Sequence, residues 1–446
     1  MSREQIAFVT SLRPEIRLRS LASLSDNGTG ASVRSRSGLH RVGAAHDSEA
    51  DADNGIVIPT TYMPTCVAWD NASARAGAAL YVGSGSGGLH YVDITTGGVL
   101  GRIGAHAGGA GDRVWSVSVS GAGFCVSRMV AYTDHGGGLR LCGGDDSTPI
   151  ATLYPAAAAA ATHQAGGGPL RDVDIHATRP LIACGSADGN AYVFDVRMTS
   201  RGPLYVLPAV ARSGMSGNVG VLAARWAGPN RNRIVTATDD GSLNSWYIEA
   251  ADGGGTEPCA VPEVPEPEPV AEPTRLQPQR VYRVRRRGGG TRSPYTALSC
   301  RADGLCATGM FGGSAPGVVG VFYPAWDNPV ATCAVDVRAV PLSMRRNFSS
   351  GMLTEMDNEE QQQQQQLDEN PRTRGAGGAA PSGRSPDKLR RGVPWFASVS
   401  WRSMSSDTAT DDFPTCVAAT LEGSLAALRL ERESNDEEED GAGGAK

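Results

Sequence analysis

Histidine, aspartate and serine side chains could together form a hydrolytic triad, so these residues are considered first. His106 precedes an apolar stretch that begins at Val114, and Asp134 lies in the turn region that follows it. A working triad also needs a nucleophile on a sharp strand-to-helix turn or in an equivalent motif. No such motif accompanies these residues. We therefore predict that the chain is not an enzyme and that these side chains have structural roles.

The seven histidines and nine cysteines could in principle bind a metal ion. No two cysteines form a Cys-x-x-Cys pair, and the histidines lack the spacing of His-Glu-x-x-His or of a zinc finger. Asp239-Asp240-Gly241 lacks the remaining ligand positions of an EF-hand loop. We expect no metal and no cofactor. An odd number of scattered cysteines is typical of reduced thiols inside a cell.

Two other segments could bind phosphate groups. The glycine-rich segment 83–88 superficially resembles a dinucleotide-binding loop, but it joins two short strands and offers no helix N-terminus to a pyrophosphate. Segment 285–292 contains four arginines and could be an import signal, a contact for RNA or an acidic protein, or a solvated loop. A net charge of −6 and the lack of interleaved aromatic residues favour the solvated loop. Neither a specific nucleic acid nor a small-molecule substrate is indicated.

The elements that must position these residues are short strands. The 446 residues include 57 glycines and 27 prolines, and such an excess of turn formers favours many short strands over long helices. No stretch approaches the ~20 apolar residues of a membrane helix. Residues 1–17 have too short an apolar core for a secretory signal. The sequence therefore predicts an all-β protein without membrane insertion.

One pattern recurs along the chain: an apolar strand, a second strand that ends in a small residue, a turn, and a third strand. The clearest copies are residues 180–197, with a turn at Asp188-Gly189, and residues 233–248, with a turn at Asp240-Gly241. Asp-Gly between two apolar runs is a strong hairpin signal because both residues tolerate positive φ. Weaker copies occupy residues 79–94, 129–142, 304–323 and 416–430.

This pattern resembles the repeat of the WD40 β-propellers, whose units span about 40–45 residues and include Trp-Asp at a strand end. Phe194-Asp195 and Trp246-Tyr247 stand at the corresponding position. The resemblance covers roughly residues 60–430 and implies a propeller with six legible blades. A seventh blade would combine residues 5–45 with the end of the chain, which removes an exposed edge. We expect seven blades, with six as the alternative.

The resemblance also implies roles for individual residues. In WD40 families a loop His, a hairpin Asp, a strand Ser or Thr, and a Trp form a structural hydrogen-bond network. The residues at resembling positions are His46, His106, Ser186, Asp188, Thr238, Asp240 and Trp246, and no blade retains all four members. Phe194 to Arg197 is similar to the Trp-Asp-x-Arg motif by which WD40 substrate receptors dock on a cullin-RING ligase adaptor. Asp195 and Arg197 are therefore candidate partner-binding residues, and a simple salt bridge at the strand end is the alternative.

Composition suggests one domain with several insertions. We predict a single propeller over residues 1–430 and an acidic, disordered tail over residues 431–446. Flexible insertions are expected at 20–55, at 256–279, where proline and glutamate recur, and at 345–392, which contains a glutamine run.

A propeller exposes two faces and a side wall, so the resemblance implies a non-enzymatic scaffold that mediates protein–protein interactions in a multi-subunit complex. Residues 5–21 and the order of the blades are also similar to the small WD40 nucleoporins of the Y-shaped nuclear pore complex. That similarity implies an intracellular protein at the nuclear envelope, with the cytoplasm as the alternative. Two other functions stay open: a substrate receptor of a cullin-RING ubiquitin ligase, and an esterase like the WD40 diphthine methylesterases.

Overall fold

The computed structural model describes residues 5–9, 14–20, 31–34, 40–46, 56–70, 78–104, 113–121, 129–143, 150–155, 168–198, 202–210, 219–228, 231–248, 273–283, 295–301, 304–310, 317–323, 331–335, 396–401, 415–420 and 425–432. Every helix or strand element in these ranges is a β-strand. The same ranges contain no apolar helix of the length that a membrane crossing requires. The predicted all-β class is confirmed.

The strands are short, and most have four to seven residues. In chain order they are β1 (Gln5–Val9), β2 (Glu15–Ser20), β3 (Ala31–Arg34), β4 (His40–His46), β5 (Ile56–Pro59), β6 (Pro64–Trp69), β7 (Ala79–Ser84), β8 (Leu89–Asp93), β9 (Val99–Ile103), β10 (Val114–Val119), β11 (Met129–Asp134), β12 (Leu139–Gly143), β13 (Ala151–Leu153), β14 (Leu170–Ile175), β15 (Leu181–Ser186), β16 (Asn190–Asp195), β17 (Tyr205–Pro208), β18 (Val221–Ala227), β19 (Arg233–Thr238), β20 (Ser242–Tyr247), β21 (Thr274–Arg275), β22 (Arg280–Arg283), β23 (Tyr295–Cys300), β24 (Cys306–Met310), β25 (Gly317–Phe322), β26 (Ala331–Val335), β27 (Phe396–Trp401), β28 (Thr415–Thr420) and β29 (Leu425–Arg432).

Within the described residues these strands form seven sheets, numbered here along the chain. Sheet 1 has the order β1-β2-β5, sheet 2 β6-β7-β8-β9, and sheet 3 β10-β11-β12-β13. Sheet 4 has the order β14-β15-β16-β17-β21, sheet 5 β18-β19-β20-β22, and sheet 6 β23-β24-β25-β26. Sheet 7 has the order β27-β28-β29-β4-β3. Neighbouring strands run antiparallel, except that β21 lies parallel to β17.

Sheets 2 to 7 begin with the same irregularity. The ladder between the first and second strands slips after the first residue of the first strand, so one residue has no partner opposite it. The residues left out of the ladders are Thr65, Trp115, Arg171, Leu222, Thr296 and Ala397. A β-bulge of this kind increases the local twist and re-aims neighbouring side chains. Its recurrence means that the six sheets share one local geometry.

A second recurring feature ties each hairpin turn to the residue that precedes the first strand of its sheet. The bonds in sheets 2 to 5 are Gly85 N–H to Met63 O (2.8 Å), His135 N–H to Arg113 O (2.9 Å), Ala187 N–H to Pro169 O (3.0 Å) and Asp239 N–H to Gly220 O (3.0 Å). In sheets 4 and 5 the turns are those predicted at Asp-Gly. The φ angles are 93° at Gly189 and 81° at Gly241, which lie in the region that favours glycine.

The apolar core lies between successive sheets. Among the described residues, buried apolar side chains form five clusters, and each cluster draws its residues from two consecutive sheets, from sheets 1 and 2 through to sheets 5 and 6. In β15, for example, Ile182 and Cys184 face sheet 3, whereas Leu181 and Ala183 face sheet 5. Successive side chains of a strand point to opposite faces, so a strand buried on both faces is apolar throughout.

Glycine on the second strand lets neighbouring sheets approach closely. A β-carbon on Gly185 would lie 2.9 Å from Val221 Cγ1, and one on Gly83 would lie 2.9 Å from Val114 Cγ1. Both valines begin the first strand of the next sheet. The first strands also pack side by side in succession, from β1 against β6 through to β23 against β27. The sheets therefore form a continuous row.

The N-terminal segment contributes to both ends of this row. β1 and β2 pair with β5 in sheet 1, whereas the β3–β4 hairpin pairs with β29 in sheet 7. The sequence predicts that residues 5–45 join the end of the chain as one blade. In the structure that place belongs to residues 31–34 and 40–46, so β1 and β2 are assigned differently from the prediction.

The predicted insertions fall partly within the described residues. Strands β3 and β4 lie inside the segment 20–55. At the end of the segment 256–279, β21 pairs with β17, and Gln279 N–H donates to Ser245 O (2.8 Å). Of the predicted acidic tail, residues 431–432 belong to β29, and the remainder lies outside the described residues, as does the segment 345–392.

Candidate partner-binding site and polar centre

Asp195 and Arg197, the candidate partner-binding pair, lie at the end of β16. Phe194 is fully buried between sheets 3 and 4 and anchors the strand up to Asp195. The Asp195 carboxylate accepts hydrogen bonds from Arg197 Nε (3.0 Å), Arg197 Nη2 (2.7 Å) and the Arg197 backbone N–H (2.9 Å). The Arg197 side chain is 47% exposed, whereas that of Asp195 is 5% exposed. The pair thus holds a guanidinium at the surface, next to the exposed Met198.

Ser186 and Asp188, two members of the predicted network, hold the hairpin turn of sheet 4. Ser186 Oγ donates to Gly168 O (3.0 Å) and accepts from the Asp188 backbone N–H (3.3 Å). The Asp188 carboxylate accepts from the Tyr192 hydroxyl (2.6 Å) and from the Asn190 N–H (2.9 Å). Burial, together with the bond to Asp188, raises the pKa of Tyr192. The carboxylate therefore bonds to a tyrosine rather than to the serine side chain.

Thr238 and Asp240 hold the equivalent turn of sheet 5. Thr238 Oγ1 lies 2.6 Å from Asp240 Oδ1 and 2.7 Å from Ser242 O, and it accepts from the Ser242 N–H (3.1 Å). Trp246 is fully buried between sheets 4 and 5. Its indole N–H has no hydrogen-bond partner among the described residues. Two of the three predicted members in this sheet are thus bonded to each other, and Trp246 is not bonded to them.

The two remaining members of the predicted network are histidines. The resemblance places His46 in a loop, but in the structure it is the last residue of β4, opposite Ala426. His106 lies outside the described residues, and so does the arginine-rich segment 285–292. The glycine-rich segment 83–88 is the hairpin turn between β7 and β8, as predicted, and its Ser84 N–H donates to Gly88 O (3.1 Å).

One serine and two charged residues form a bridge through sheets 3, 4 and 5. None of the three is among the site residues predicted from the sequence. Asp172 on β14 is 5% exposed. Its Oδ1 accepts from Ser116 Oγ on β10 (2.8 Å). Its Oδ2 accepts from the Ala224 N–H on β18 (2.9 Å) and pairs with Nη1 of Arg225. We call Ser116, Asp172 and Arg225 the central bridge.

Alignment of the repeats on their β-bulges shows that Asp172 stands at a position where the other sheets have small residues. Asp172 is the third residue of its first strand, and sheets 2, 3, 5 and 6 have small residues there, namely Cys66, Ser116, Ala223 and Ala297. A lone carboxylate at a position that is otherwise small and uncharged indicates a specific partner. The alignment needs the strand registers, which the sequence does not supply.

A second set of polar contacts joins sheets 4 and 5 beside the central bridge. Asp174 Oδ2 accepts from the Trp226 backbone N–H (2.8 Å), and Asp174 O accepts from the Trp226 indole N–H (3.1 Å). His176 Nδ1 accepts from the Arg179 N–H (2.9 Å), so Nε2 carries the proton and donates to Arg231 O (3.1 Å). The edge of the imidazole meets the Trp226 ring at 4.8 Å. His176 is therefore a structural residue.

Burial and neighbouring carboxylates together determine the charges in this region. Burial acts to lower the pKa of the Arg225 guanidinium, but the carboxylates of Asp172 and Asp174 outweigh this effect and raise it. Burial raises the pKa of Asp174, and the charge of Arg225 offsets part of that effect. Arg225, whose side chain is 27% exposed, therefore stays charged and ties β18 to β14.

The buried cysteines are weak nucleophiles. Burial raises the pKa of Cys66 to about 12, and it raises the pKa of Cys184 well above the usual range. Both groups are thiols at neutral pH, and the thiol is far less reactive than the thiolate. The described ranges contain no group of three His, Cys, Asp or Glu residues that could hold a metal ion. The polar side chains of this region instead bond turns and sheets to one another.

A scan of the sequence against protein-family models finds no matching family. A search of curated proteins likewise finds no match.

Proposed function

We propose that the chain is a WD40-type β-propeller of seven blades that acts as a non-enzymatic scaffold for protein–protein interactions. Support for the fold comes from the row of seven sheets, six of which share the same bulge. The apolar clusters between consecutive sheets add to that support. A repeat that cannot bury its apolar faces alone is stabilised by neighbours on both sides, and a ring provides them for every repeat.

The β3–β4 hairpin supports closure of the ring. It lies between β2 and β5 of sheet 1 in the sequence, yet it supplies two strands of sheet 7. The connections 21–30 and 47–55 are short, and an extended chain of about ten residues spans at most roughly 35 Å. These lengths limit the separation of sheets 1 and 7 and are compatible with a ring in which the two are the first and last blades.

Removal of this hairpin tests the closed ring. Replacing residues 21–55 with a short Gly-Ser linker is expected to leave β29 as an unpaired edge, which promotes aggregation and lowers the midpoint of thermal unfolding. Size-exclusion chromatography and thermal unfolding followed by circular dichroism measure both effects. A monomer with an unchanged midpoint contradicts closure by this hairpin.

One observation carries the scaffold function: polar side chains of the hairpin turns bond within the fold, while Asp195 holds the Arg197 guanidinium at the surface. Thr238 and Asp240 bond to each other in a turn. Arg197, in contrast, is about half exposed and is oriented by two bonds to Asp195. A rigid row of sheets with oriented charges at its surface is suited to binding proteins.

Native purification tests the scaffold function. A tagged full-length chain, purified under mild conditions from cells that naturally express it, is expected to retain partner proteins in stoichiometric amounts. Mass spectrometry identifies them, and cells with the tag alone provide the control. Recovery of no stoichiometric partner, or turnover of ester substrates by the pure chain, contradicts the proposal.

The resemblance of residues 5–21 and of the blade order to small WD40 nucleoporins adds a narrower proposal. The chain would be a structural subunit of the outer ring of the nuclear pore. A fluorescently tagged copy is then expected to mark the nuclear rim in living cells. A smooth cytosolic signal without a rim contradicts this assignment but leaves the scaffold function intact.

The geometry at Asp195 and Arg197 favours one second candidate, a substrate receptor of a cullin-RING ubiquitin ligase. Docking would use the exposed guanidinium that Asp195 orients. Arg197→Ala is then expected to abolish co-purification of the ligase adaptor. Arg275→Ala removes another exposed arginine, from the edge strand β21, and should retain the adaptor. Equal recovery of adaptor by both variants contradicts the docking role.

A further inference from the structure

A cleft of about 260 Å³ opens beside the hairpin of sheet 2. It is lined by Thr61, Tyr62, the segment Ser86–Leu89, His90 and Arg102. None of these lining residues is acidic. The central bridge and the Asp195–Arg197 pair contribute no residue to it, so the cleft is separate from the sites already described.

Sheet geometry brings the three functional side chains of the cleft together. His90 and Arg102 lie directly opposite each other on β8 and β9, so their side chains share one face of the sheet. The Tyr62 ring stacks on the His90 ring, with centroids 3.7 Å apart and an angle of 9° between the planes. His90 is 6% exposed, and Arg102 is exposed at the edge of the sheet. The result is a stacked aromatic pair and a guanidinium side by side in one cleft.

Two polar atoms of this aromatic pair are buried without a partner. The Tyr62 hydroxyl and His90 Nδ1 have no hydrogen-bond partner among the described residues. Leaving a buried polar group unpaired is unfavourable, and a ligand can supply the missing bond only where the residue borders a cleft, as Tyr62 and His90 do and the core residue Trp246 does not. Both residues line the same cleft. A polar group that enters the cleft could bond to both atoms.

The charge of the lining restricts what that group can be. Burial, with repulsion from Arg102, lowers the pKa of His90 to about 4, so the imidazole is neutral at pH 7. The lining therefore has one full positive charge, that of Arg102, and two neutral groups able to donate a hydrogen bond. A single positive charge matches a monoanion, and the planar guanidinium pairs best with the two oxygens of a carboxylate.

Exposed apolar side chains on the strand that holds Arg102 favour a peptide over a small free acid. Val99 and Leu100 precede Arg102 on β9, the edge strand of sheet 2, and are 49% and 44% exposed. A peptide with an acidic residue in the cleft could pack its neighbouring side chains against them.

We propose that this cleft binds the carboxylate of an acidic peptide segment of a partner protein. Arg102 would pair with the carboxylate oxygens, and Tyr62 and His90 would donate hydrogen bonds beside it. This inference rests on the proposed scaffold function, because it names the chemistry of one partner.

The test uses the full-length chain and two labelled peptides that differ only in charge. One peptide carries three glutamates between Gly-Ser flanks, and the other carries three glutamines. By fluorescence anisotropy, the glutamate peptide is expected to bind at least about tenfold more tightly, because hydrogen bonds to charged groups are the stronger ones. Arg102→Gln should weaken the glutamate peptide by about tenfold, and Tyr62→Phe should weaken it less. Arg275→Gln, which removes an exposed arginine from the edge of sheet 4, should leave its affinity unchanged.

Three results would overturn the proposal. They are equal affinity for the two peptides, equal loss of affinity in the Arg102 and Arg275 variants, and tighter binding of a matched phosphoserine peptide than of the glutamate peptide. Circular dichroism of each variant excludes unfolding as the cause of a loss. If the peptide experiment fails while native purification still yields stoichiometric partners, the cleft proposal falls and the scaffold function stands. If native purification yields none, the scaffold function itself falls.

Discussion

The central bridge and the cleft of sheet 2 both contain buried polar atoms, but these atoms differ in whether they have hydrogen-bond partners. In the bridge, both oxygens of the Asp172 carboxylate accept hydrogen bonds, and the donors lie on the two neighbouring sheets. In the cleft, the Tyr62 hydroxyl and His90 Nδ1 have no partner among the described residues. The partnered groups of the central bridge thus tie sheets 3, 4 and 5 together, whereas the unpartnered groups of the cleft lie where a ligand could bond to them.

The largest expected effect comes from breaking the bridge. Asp172→Ala leaves Arg225 in its place without its main counter-charge, and loss of one member of a largely buried pair costs about 3 kcal/mol of unfolding free energy. Urea denaturation measures this loss. The double variant Asp172→Leu, Arg225→Met should lose less than the sum of the two single variants, because no charge is then left unpaired. A loss below about 1 kcal/mol in Asp172→Ala would show that the bridge does not lock the sheets.

The second-largest expected loss of stability comes from overpacking the contact between sheets 4 and 5. Gly185→Ala places a methyl group 2.9 Å from Val221 Cγ1 and 3.2 Å from Val221 O, so sheets 4 and 5 must move apart. Overpacking of this kind costs about 2 kcal/mol, which a thermal or urea midpoint reports. The matched control is Gly101→Ala on β9, where a β-carbon would meet nothing within 4 Å. Equal losses in the two variants would mean that contact between the sheets is not the cause.

A smaller expected effect is a loss of stability at acidic pH that is caused by His90 in the cleft. The pKa of His90 is about 4 in the folded chain and 6.5 ordinarily, so the unfolded chain binds a proton between these values that the folded chain does not. The contribution of His90 to stability is therefore constant above about pH 6.5 and falls as the pH drops towards about 4.

The size of this pH effect follows from the shift. One pKa unit corresponds to about 1.4 kcal/mol, and because solvent in the open cleft offsets part of it, the expected loss is about 1–2 kcal/mol. Urea denaturation at about pH 7 and about pH 4.5 should show a steeper decline for the native chain than for His90→Gln. Parallel declines would mean that the imidazole is not held neutral by its surroundings.

The smallest expected effect is the change in unfolding free energy when the Tyr62 hydroxyl of the cleft is removed. Tyr62→Phe removes a hydroxyl without a described partner, so the free energy of unfolding should change by less than about 0.5 kcal/mol or rise slightly. Tyr192→Phe is the control, because its hydroxyl donates to Asp188, and it should cost about 1 kcal/mol. A marked loss of stability in Tyr62→Phe would show that the Tyr62 hydroxyl has a structural partner after all.

The predictable parts of this fold are those that depend on neighbouring residues. Strands and hairpins at Asp188-Gly189 and Asp240-Gly241 follow from turn chemistry and apolar runs, and both turns have the positive φ that this chemistry needs. The pairing of Asp195 with Arg197 is equally local, since the residues lie two positions apart.

Other parts depend on contacts between distant segments and could not be predicted. Asp172 and Arg225 lie 53 positions apart, and their meeting depends on the register slip in each sheet. The resemblance places His46 in a loop, whereas in the structure it pairs with β29, a strand almost 400 residues away that a local pattern does not reveal. The cleft likewise needs the register that sets His90 opposite Arg102. The apolar pattern of a strand constrains its register, but it does not reveal the bulges that shift the register in these ladders.

The N-terminal hairpin has a consequence for how the protein is made. His40–His46 is synthesised long before its partner strand, Leu425–Arg432. Sheets 2 to 6 can assemble one after another during translation, since each is contiguous in sequence or nearly so, whereas sheet 7 must wait until β29 has left the ribosome. Until then the β3–β4 hairpin and the sheets already formed each have an unpaired edge strand. A chain that terminates before residue 425 should therefore aggregate unless chaperones bind it.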